Sequence, residues 1–272
     1  MVAQEAPVGV FDSGVGGLSV LREIRKQLPH EHLIFLADQA HVPYGPRSLA
    51  EVRSFSEAIT RYLLDQDAKL IVVACNAASA AALQSLRQTF SNVPFVGMEP
   101  AVKPAAETTD SGVVGVLATP ATFQGKLYAS VVERFANGVR LLPNPCIGLV
   151  EQIEAGKLNG GQTHAILENA LAPMLAEGID TVVLGCTHYP FVIPQIEQIV
   201  GPQVRVIDPA PAIARQVGRL LKEHDLVNAA DSLGKLQFKT SGDAAALSRQ
   251  ITQLLEADHP AEKLNWHGNT LK

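Results

Sequence analysis

Six short apolar runs govern what this chain can fold into: residues 8–11, 33–36, 70–74, 113–117, 181–184 and 204–207, all rich in Val, Ile and Leu. Each has the length of a strand and lacks polar alternation, so each reads as a strand buried on both faces. Between them lie longer stretches with apolar residues at helical spacing: 18–28, 49–64, 80–90, 123–135, 164–176 and 213–221. Strands alternating with helices build parallel sheets covered by helices, so the fold class is α/β. The run Ile71-Val72-Val73-Ala74-Cys75-Asn76 is echoed by Thr181-Val182-Val183-Leu184-Gly185-Cys186-Thr187, each a strand closing on a cysteine and a small polar residue. This echo predicts two pseudo-symmetric lobes, each a mostly parallel sheet flanked by helices. The functional site then lies in the cleft between them, outside the carboxyl ends of the strands.

At 272 residues, 47% of them hydrophobic, the chain can bury one large core or two smaller ones. No Pro- or Ser-rich linker divides it. The strand rhythm restarts at Met98-Glu99-Pro100, after a strand at 95–97, and again at Asp208-Pro209. Crossing over at both points makes residues 1–98 and 208–272 the first lobe and 99–207 an inserted second lobe, with a polar tail, 259–272, loosely held. A formal net charge of −5 with scattered Lys and Arg gives no footing for nucleic acid or an anionic membrane surface, so the expected partner is a small molecule. Residues 1–7 lack the parts of a signal peptide, and no apolar run approaches the roughly 20 residues that span a bilayer. A cytoplasmic location is therefore expected. Small two-lobed enzymes often pair, so a homodimer is expected as well.

Three cysteines, Cys75, Cys146 and Cys186, are too few for a disulfide framework, and an odd count points to free thiols. A free cysteine most often serves as a small buried apolar residue, and Cys146, between Pro145 and Ile147, fits that role. Cys75 and Cys186 fit it less well. Each ends an apolar run and is followed by amide or hydroxyl side chains that a packing residue does not need. Paired thiols suggest a redox disulfide, a metal site or acid/base work from two sides of a substrate. A redox pair usually shows C-x-x-C and zinc ligands come in closely spaced pairs; neither pattern is present. Acid/base chemistry remains: one thiolate removes a Cα proton while the opposite thiol delivers another.

The segment Asp12-Ser13-Gly14-Val15-Gly16-Gly17 follows the first strand and opens the first helix. Its glycines let the backbone approach a ligand, and a helix N-terminus favours an anion, although such glycines also serve simple tight turns. Asp12, a carboxylate ending a buried strand, can orient an ammonium or a thiol. Pro43-Tyr44-Gly45 is a turn by composition; as a binding element, Tyr44 would close over a ligand while the Gly45 N–H takes a carboxylate oxygen. In Thr187-His188-Tyr189-Pro190, His188 stands two residues after Cys186, where it can hold a thiolate-imidazolium pair.

Together, Asp12-Ser13-Gly14-Val15-Gly16-Gly17-Leu18-Ser19-Val20, Pro43-Tyr44-Gly45, Ala74-Cys75-Asn76, Glu99-Pro100 and Gly185-Cys186-Thr187-His188-Tyr189-Pro190 resemble the glutamate racemases in order and spacing, from about residue 8 to 222. The resemblance implies a two-lobed enzyme of the aspartate/glutamate racemase superfamily. It implies interconversion of L- and D-glutamate without pyridoxal phosphate or metal, with D-glutamate feeding peptidoglycan synthesis. By the same resemblance Cys75 and Cys186 are the acid/base pair, with Asp12 near the first and His188 near the second. Asp12, Ser13, Tyr44, Gly45, Asn76, Ala77, Thr187 and His188 surround the substrate, and Glu151 and Thr119 stand just behind them. Ala77 departs from the family, which usually carries Thr there, so one hydrogen bond to substrate is missing and a raised KM is expected. Three rivals stay open: a racemase of aspartate or another acidic amino acid, a cysteine hydrolase using Cys186 and His188, and a cytosolic module that binds a ligand without chemistry.

Overall fold

The computed structural model describes residues 3–99 and 101–272. Eight strands run β1 Val8–Asp12, β2 Leu33–Ala37, β3 Leu70–Val73, β4 Phe95–Gly97, β5 Val113–Ala118, β6 Arg140–Asn144, β7 Thr181–Gly185 and β8 Arg205–Ile207, followed by β9 Leu236–Thr240 and β10 Ala261–Lys263. They form two sheets, ordered β10-β9-β2-β1-β3-β4 and β6-β5-β7-β8. Every pairing in both is parallel. All residues of β1, β2, β3 and β7 are buried, which is why these segments are apolar without alternation.

The chain leaves the first sheet after β4, builds the whole of the second sheet, and returns through helix Ala210–Glu223 to β9 beside β2. That helix packs on Leu18–Gln27. One apolar cluster is continuous from Val8 and Val10 of β1, through Leu18 and Leu21, to Val182 and Leu184 of β7, so the two sheets share a core. The boundary motif Met98-Glu99-Pro100 includes Pro100, which lies outside the described residues, as do residues 1–2 of the N-terminal segment.

Three features depart from the reading of the sequence. The helix expected at 80–90 begins earlier, as Asn76–Thr89, so its first turn directly follows Cys75. The helix expected at 123–135 is broken at Gly125 into Pro120–Gln124 and Lys126–Phe135. The tail is not loose: β10 adds to β9, and a hairpin of β11 Trp266–His267 and β12 Thr270–Leu271 buries Leu264 and Leu271. Few but well-placed apolar side chains suffice to dock it.

Candidate active site

The carboxyl ends of β1, β3 and β7 converge. Ser19 Oγ donates to the Thr187 carbonyl at 2.9 Å, and Thr187 Oγ1 donates to Asp12 Oδ2 at 3.0 Å, which ties the first strand end to the seventh. A cavity of about 20 Å³ lies at this junction. It is lined by Ser13, Pro43, Tyr44, Gly45, Cys75, Asn76, Ala77, Thr119, Val150, Cys186, Thr187 and His188. Cys75 and Cys186 thus reach one cavity from different sheets.

Cys75 is the second of two residues between β3 and helix Asn76–Thr89, in extended conformation, so its side chain leaves the strand end just where the helix begins. Its thiol lies 3.9 Å from Ser13 Oγ. Burial pushes the thiol well above its ordinary value, and the adjacent Asp12 carboxylate adds to the shift. Asp12 is itself fully buried and accepts from the Ser13 N–H at 2.5 Å and the Ser13 hydroxyl at 3.1 Å. Burial raises its carboxyl above the usual range, against the opposing pull of His188. The next residue, Asn76, is buried with neither side-chain polar atom hydrogen-bonded. Unpaired buried amides are rare, and one lining a cavity is poised for a ligand.

On the other side, Cys186 Sγ lies 3.7 Å from His188 Nδ1, and His188 Nε2 lies 2.6 Å from Glu154 Oε1. Burial alone would lower the imidazolium; the bonds to Cys186 and Glu154 outweigh it and hold His188 well above its ordinary value. Burial raises Glu154, but His188 and the Val15 N–H, 2.7 Å from Oε1, bring it below the usual carboxylate range. Both shifts favour the charged pair, in which the imidazolium donates to Glu154 and to Cys186.

The carboxylate behind His188 is thus Glu154; Glu151, named from the resemblance as standing behind the substrate residues, is exposed and lines a neighbouring cavity. Both lie on helix Leu149–Glu154, three residues apart, and only the later turn reaches the imidazole. Thr119 lines the cavity instead of standing behind it, and a Cβ on Gly45 would sit 3.2 Å from the Thr119 Cβ, so glycine allows that close approach. Tyr44 is buried, and its hydroxyl is already donated to Asp38 at 2.7 Å. Asp38 and Glu154 both escaped the sequence reading. Asp38 had a signal, since it directly follows β2 much as Asp12 closes β1, and its N–H donates to the Asp12 carbonyl at 2.9 Å.

A second cavity of about 120 Å³ adjoins the first through Pro43, Gly45, Thr119 and Val150, and carries Cys146, Ile147 and Tyr189 on its far wall. A larger one, about 630 Å³, opens on the outer side between helices Leu49–Asp65 and Asn76–Thr89 and touches none of the predicted site residues. Among the described residues no three His, Cys, Asp or Glu side chains are grouped to hold a metal ion. No helix among them is long and apolar enough to cross a membrane.

The profile of the Asp/Glu/Hydantoin racemase family matches residues 8–217. The chain is 49% identical over 259 residues to the glutamate racemase of Roseiflexus sp. (strain RS-1), covering 95% of this chain and 94% of that protein. Its fold is similar to the crystal structure of glutamate racemase isoform RacE1 from Bacillus anthracis, with a TM-score of 0.86 and 30% identity, covering 98% of this chain and 99% of that one. It is also similar to Escherichia coli glutamate racemase, solved with L-glutamate and the activator UDP-MurNAc-ala, with a TM-score of 0.84 and 35% identity, covering 96% and 99% of the two chains.

Proposed function

The chain belongs to the Asp/Glu/Hydantoin racemase family, and from that premise we propose that it interconverts L- and D-glutamate, with Cys75 and Cys186 working on opposite faces of the α-carbon. The observation that carries this reading is the shared cavity: two buried thiols, from strands of different sheets, line one small space with an unpaired Asn76 amide.

The difficult step is removal of the α-proton, a very weak acid beside a carboxylate that is already negative. A thiol whose pKa is pushed up by burial gives, once ionised, a stronger base for that task. In one direction the Cys75 thiolate takes the α-proton, and the Cys186 thiol gives its own proton to the opposite face. The protein is left with Cys75 as thiol and Cys186 as thiolate, which is the starting arrangement for the reverse reaction. Asp12, beside Cys75 and raised by burial, takes the proton that Cys75 must lose. His188, kept charged by Glu154, stabilises Cys186 as thiolate. Backbone N–H groups of the Asp12 and Cys75 loops meet the charge that develops on the substrate.

Ser13, Tyr44, Gly45, Asn76 and Thr187 hold the substrate, with Thr119 on the same wall. A cavity of about 20 Å³ holds little more than one water, so the walls must part to admit an amino acid. The neighbouring cavity beside Pro43 and Gly45 supplies the approach. On this reading no pyridoxal phosphate or metal takes part, the protein works in the cytoplasm, and its product supplies peptidoglycan synthesis.

The test is α-proton exchange in D₂O with chelator-treated protein, offering L-glutamate, D-glutamate and L-aspartate separately. Deuterium in the inverted product from both glutamate enantiomers, with aspartate inert, is the expected result. Exchange with aspartate alone moves the activity to that substrate, and no exchange at all overturns the racemase reading. Cys75→Ser and Cys186→Ser should each abolish two-way racemisation, since a hydroxyl is a far weaker acid; full activity in both eliminates the two-base scheme.

A further inference from the structure

Trp266 is the chain's single tryptophan, in a hairpin six residues from the last residue of the sequence. Such a position is usually spent on docking the tail, and part of the ring does that, packing edge-on to His41 with ring centroids 5.0 Å apart and to Phe55 at 5.7 Å. Its indole N–H does something else: it donates to Asp38 Oδ1 at 2.8 Å.

Asp38 is fully buried, and its carboxylate is held by side-chain donors on both oxygens. Oδ1 accepts from Ser241 Oγ at 2.6 Å as well as from Trp266; Oδ2 accepts from Tyr44 Oη at 2.7 Å and from His41 Nδ1 at 2.9 Å. The two shorter bonds to Oδ1, from Ser241 and Trp266, come from the chain's last forty residues, which contribute nothing to the lining of the cavity; His41 Nδ1 makes a longer contact with the same oxygen at 3.2 Å. The Tyr44 hydroxyl, spent on Asp38, is not free for a substrate, so Tyr44 and Gly45 face the cavity through ring and backbone. Where they sit depends on where Asp38 points. A carboxylate fixed through both oxygens has one orientation; with a tail donor lost from Oδ1, it can turn toward His41 and carry the tyrosine with it.

We propose that Trp266 is a positioning residue for the substrate, in which the C-terminal hairpin, acting through Asp38, sets the Tyr44–Gly45 wall of the cavity. The proposal rests on the reading of that wall as the substrate site. A hairpin that serves only as a staple would affect melting and leave KM alone.

The experiment compares wild type with Trp266→Phe, which keeps an aromatic ring against His41 and Phe55 and removes the N–H together with the rest of the pyrrole ring. The melting temperature should fall by no more than about 4 °C. KM for both glutamate enantiomers should rise roughly tenfold, with kcat changed less than twofold, since one hydrogen bond to a charged group is lost from a binding wall. Ser241→Ala removes the other tail donor from inside the fold, should raise KM in the same way, and decides the matter if Trp266→Phe does not fold. In wild type the Trp266 emission should shift as glutamate is added, saturating with binding, and Tyr44→Phe should abolish that shift. An unchanged KM in folded Trp266→Phe or Ser241→Ala, with wild type active, overturns the inference alone. Wild type inert toward glutamate overturns the substrate reading and the inference with it.

Discussion

Gly16 offers a test of how closely the catalytic side chains are set by the backbone beneath them. It lies in the loop between β1 and helix Leu18–Gln27, and its φ is outside the left-handed region, so alanine suits the backbone there. The obstacle is volume. An added Cβ would sit 2.4 Å from His188 Nδ1, 2.6 Å from Thr187 Oγ1 and 2.7 Å from His188 Cε1. Ordinary contact begins near 3.4 Å, so the imidazole must retreat by about 1 Å. It has no slack to do so, because Nε2 is held at 2.6 Å by Glu154 and Nδ1 is already 3.7 Å from the Cys186 sulfur. Thr187 is likewise held, by Asp12 at 3.0 Å. A displacement of about 1 Å among positioned catalytic groups costs on the order of 100-fold in rate, or about 2.7 kcal/mol in barrier. Overpacking should also destabilise the fold by about 1–3 kcal/mol.

The assay for Gly16→Ala is racemisation followed by circular dichroism from pure L- and pure D-glutamate. The enantiomers have equal free energy, so the equilibrium constant is one and kcat/KM must fall by the same factor in both directions. Only kcat and KM taken separately can respond asymmetrically, and a larger loss of kcat from one side would identify the direction that depends on His188. A folded Gly16→Ala protein with kcat/KM within about threefold of wild type would refute the steric argument.

Ala77→Thr should lower KM by about fivefold to tenfold, because the residue lines the cavity and a hydroxyl there adds a hydrogen bond to a charged substrate; two unchanged kinetic constants dispose of the idea. Asp180 takes the N–H groups of Asp110 and Ser111 and the hydroxyls of Thr109 and Thr181. Burial works against its charge, but the Ser111 N–H and the other donors hold it down to about 2, from an ordinary 3.8. Its contribution is therefore complete above pH 3.8 and lost as pH falls through 2. Asp180→Asn should cost about 1–3 kcal/mol at neutral pH, a deficit that denaturant melts should show shrinking between pH 4 and pH 2. For the buried ion pair the signs differ by partner. Glu154, lowered, gives stability that is present above pH 4.5 and lost as pH falls through its depressed value; His188, raised, gives stability that is present below pH 6.5 and lost as pH rises through its elevated one. The stability deficit of His188→Gln should thus stay flat from pH 4.5 to 6.5 and shrink at alkaline pH, and a deficit that grows with pH would contradict the charged pair.

How much of this was legible in the sequence depends on how far apart in the chain each relation reaches. The central strands announce themselves because both faces are covered, which forces an unbroken apolar run, and their ends are marked by the abrupt polar change at Asp12, Cys75 and Cys186. β6, at the edge of its sheet, and β9, beside the edge strand β10, carry no such mark. β6 is half exposed and contains Pro143, and β9 mixes Gln237 and Lys239 with Phe238, so neither has the pattern that identified β1 or β7. The choice between Glu151 and Glu154 is of another kind. Both satisfy the helical spacing, and the decision lies with His188, 34 residues from Glu154 and on a separate element. Trp266 and Asp38 are 228 residues apart, and nothing local to either foretells their bond. The residues proposed for proton transfer stand at strand ends, where local chain geometry betrays them. The residues that orient them are chosen by the packing of distant segments, and a sequence read along its length passes over them. Substitutions at Glu154, Asp38 or Trp266 should therefore look innocuous in the sequence and still act on the cavity, because Glu154 holds His188 and Asp38 holds Tyr44, both of which line it, and Trp266 holds Asp38.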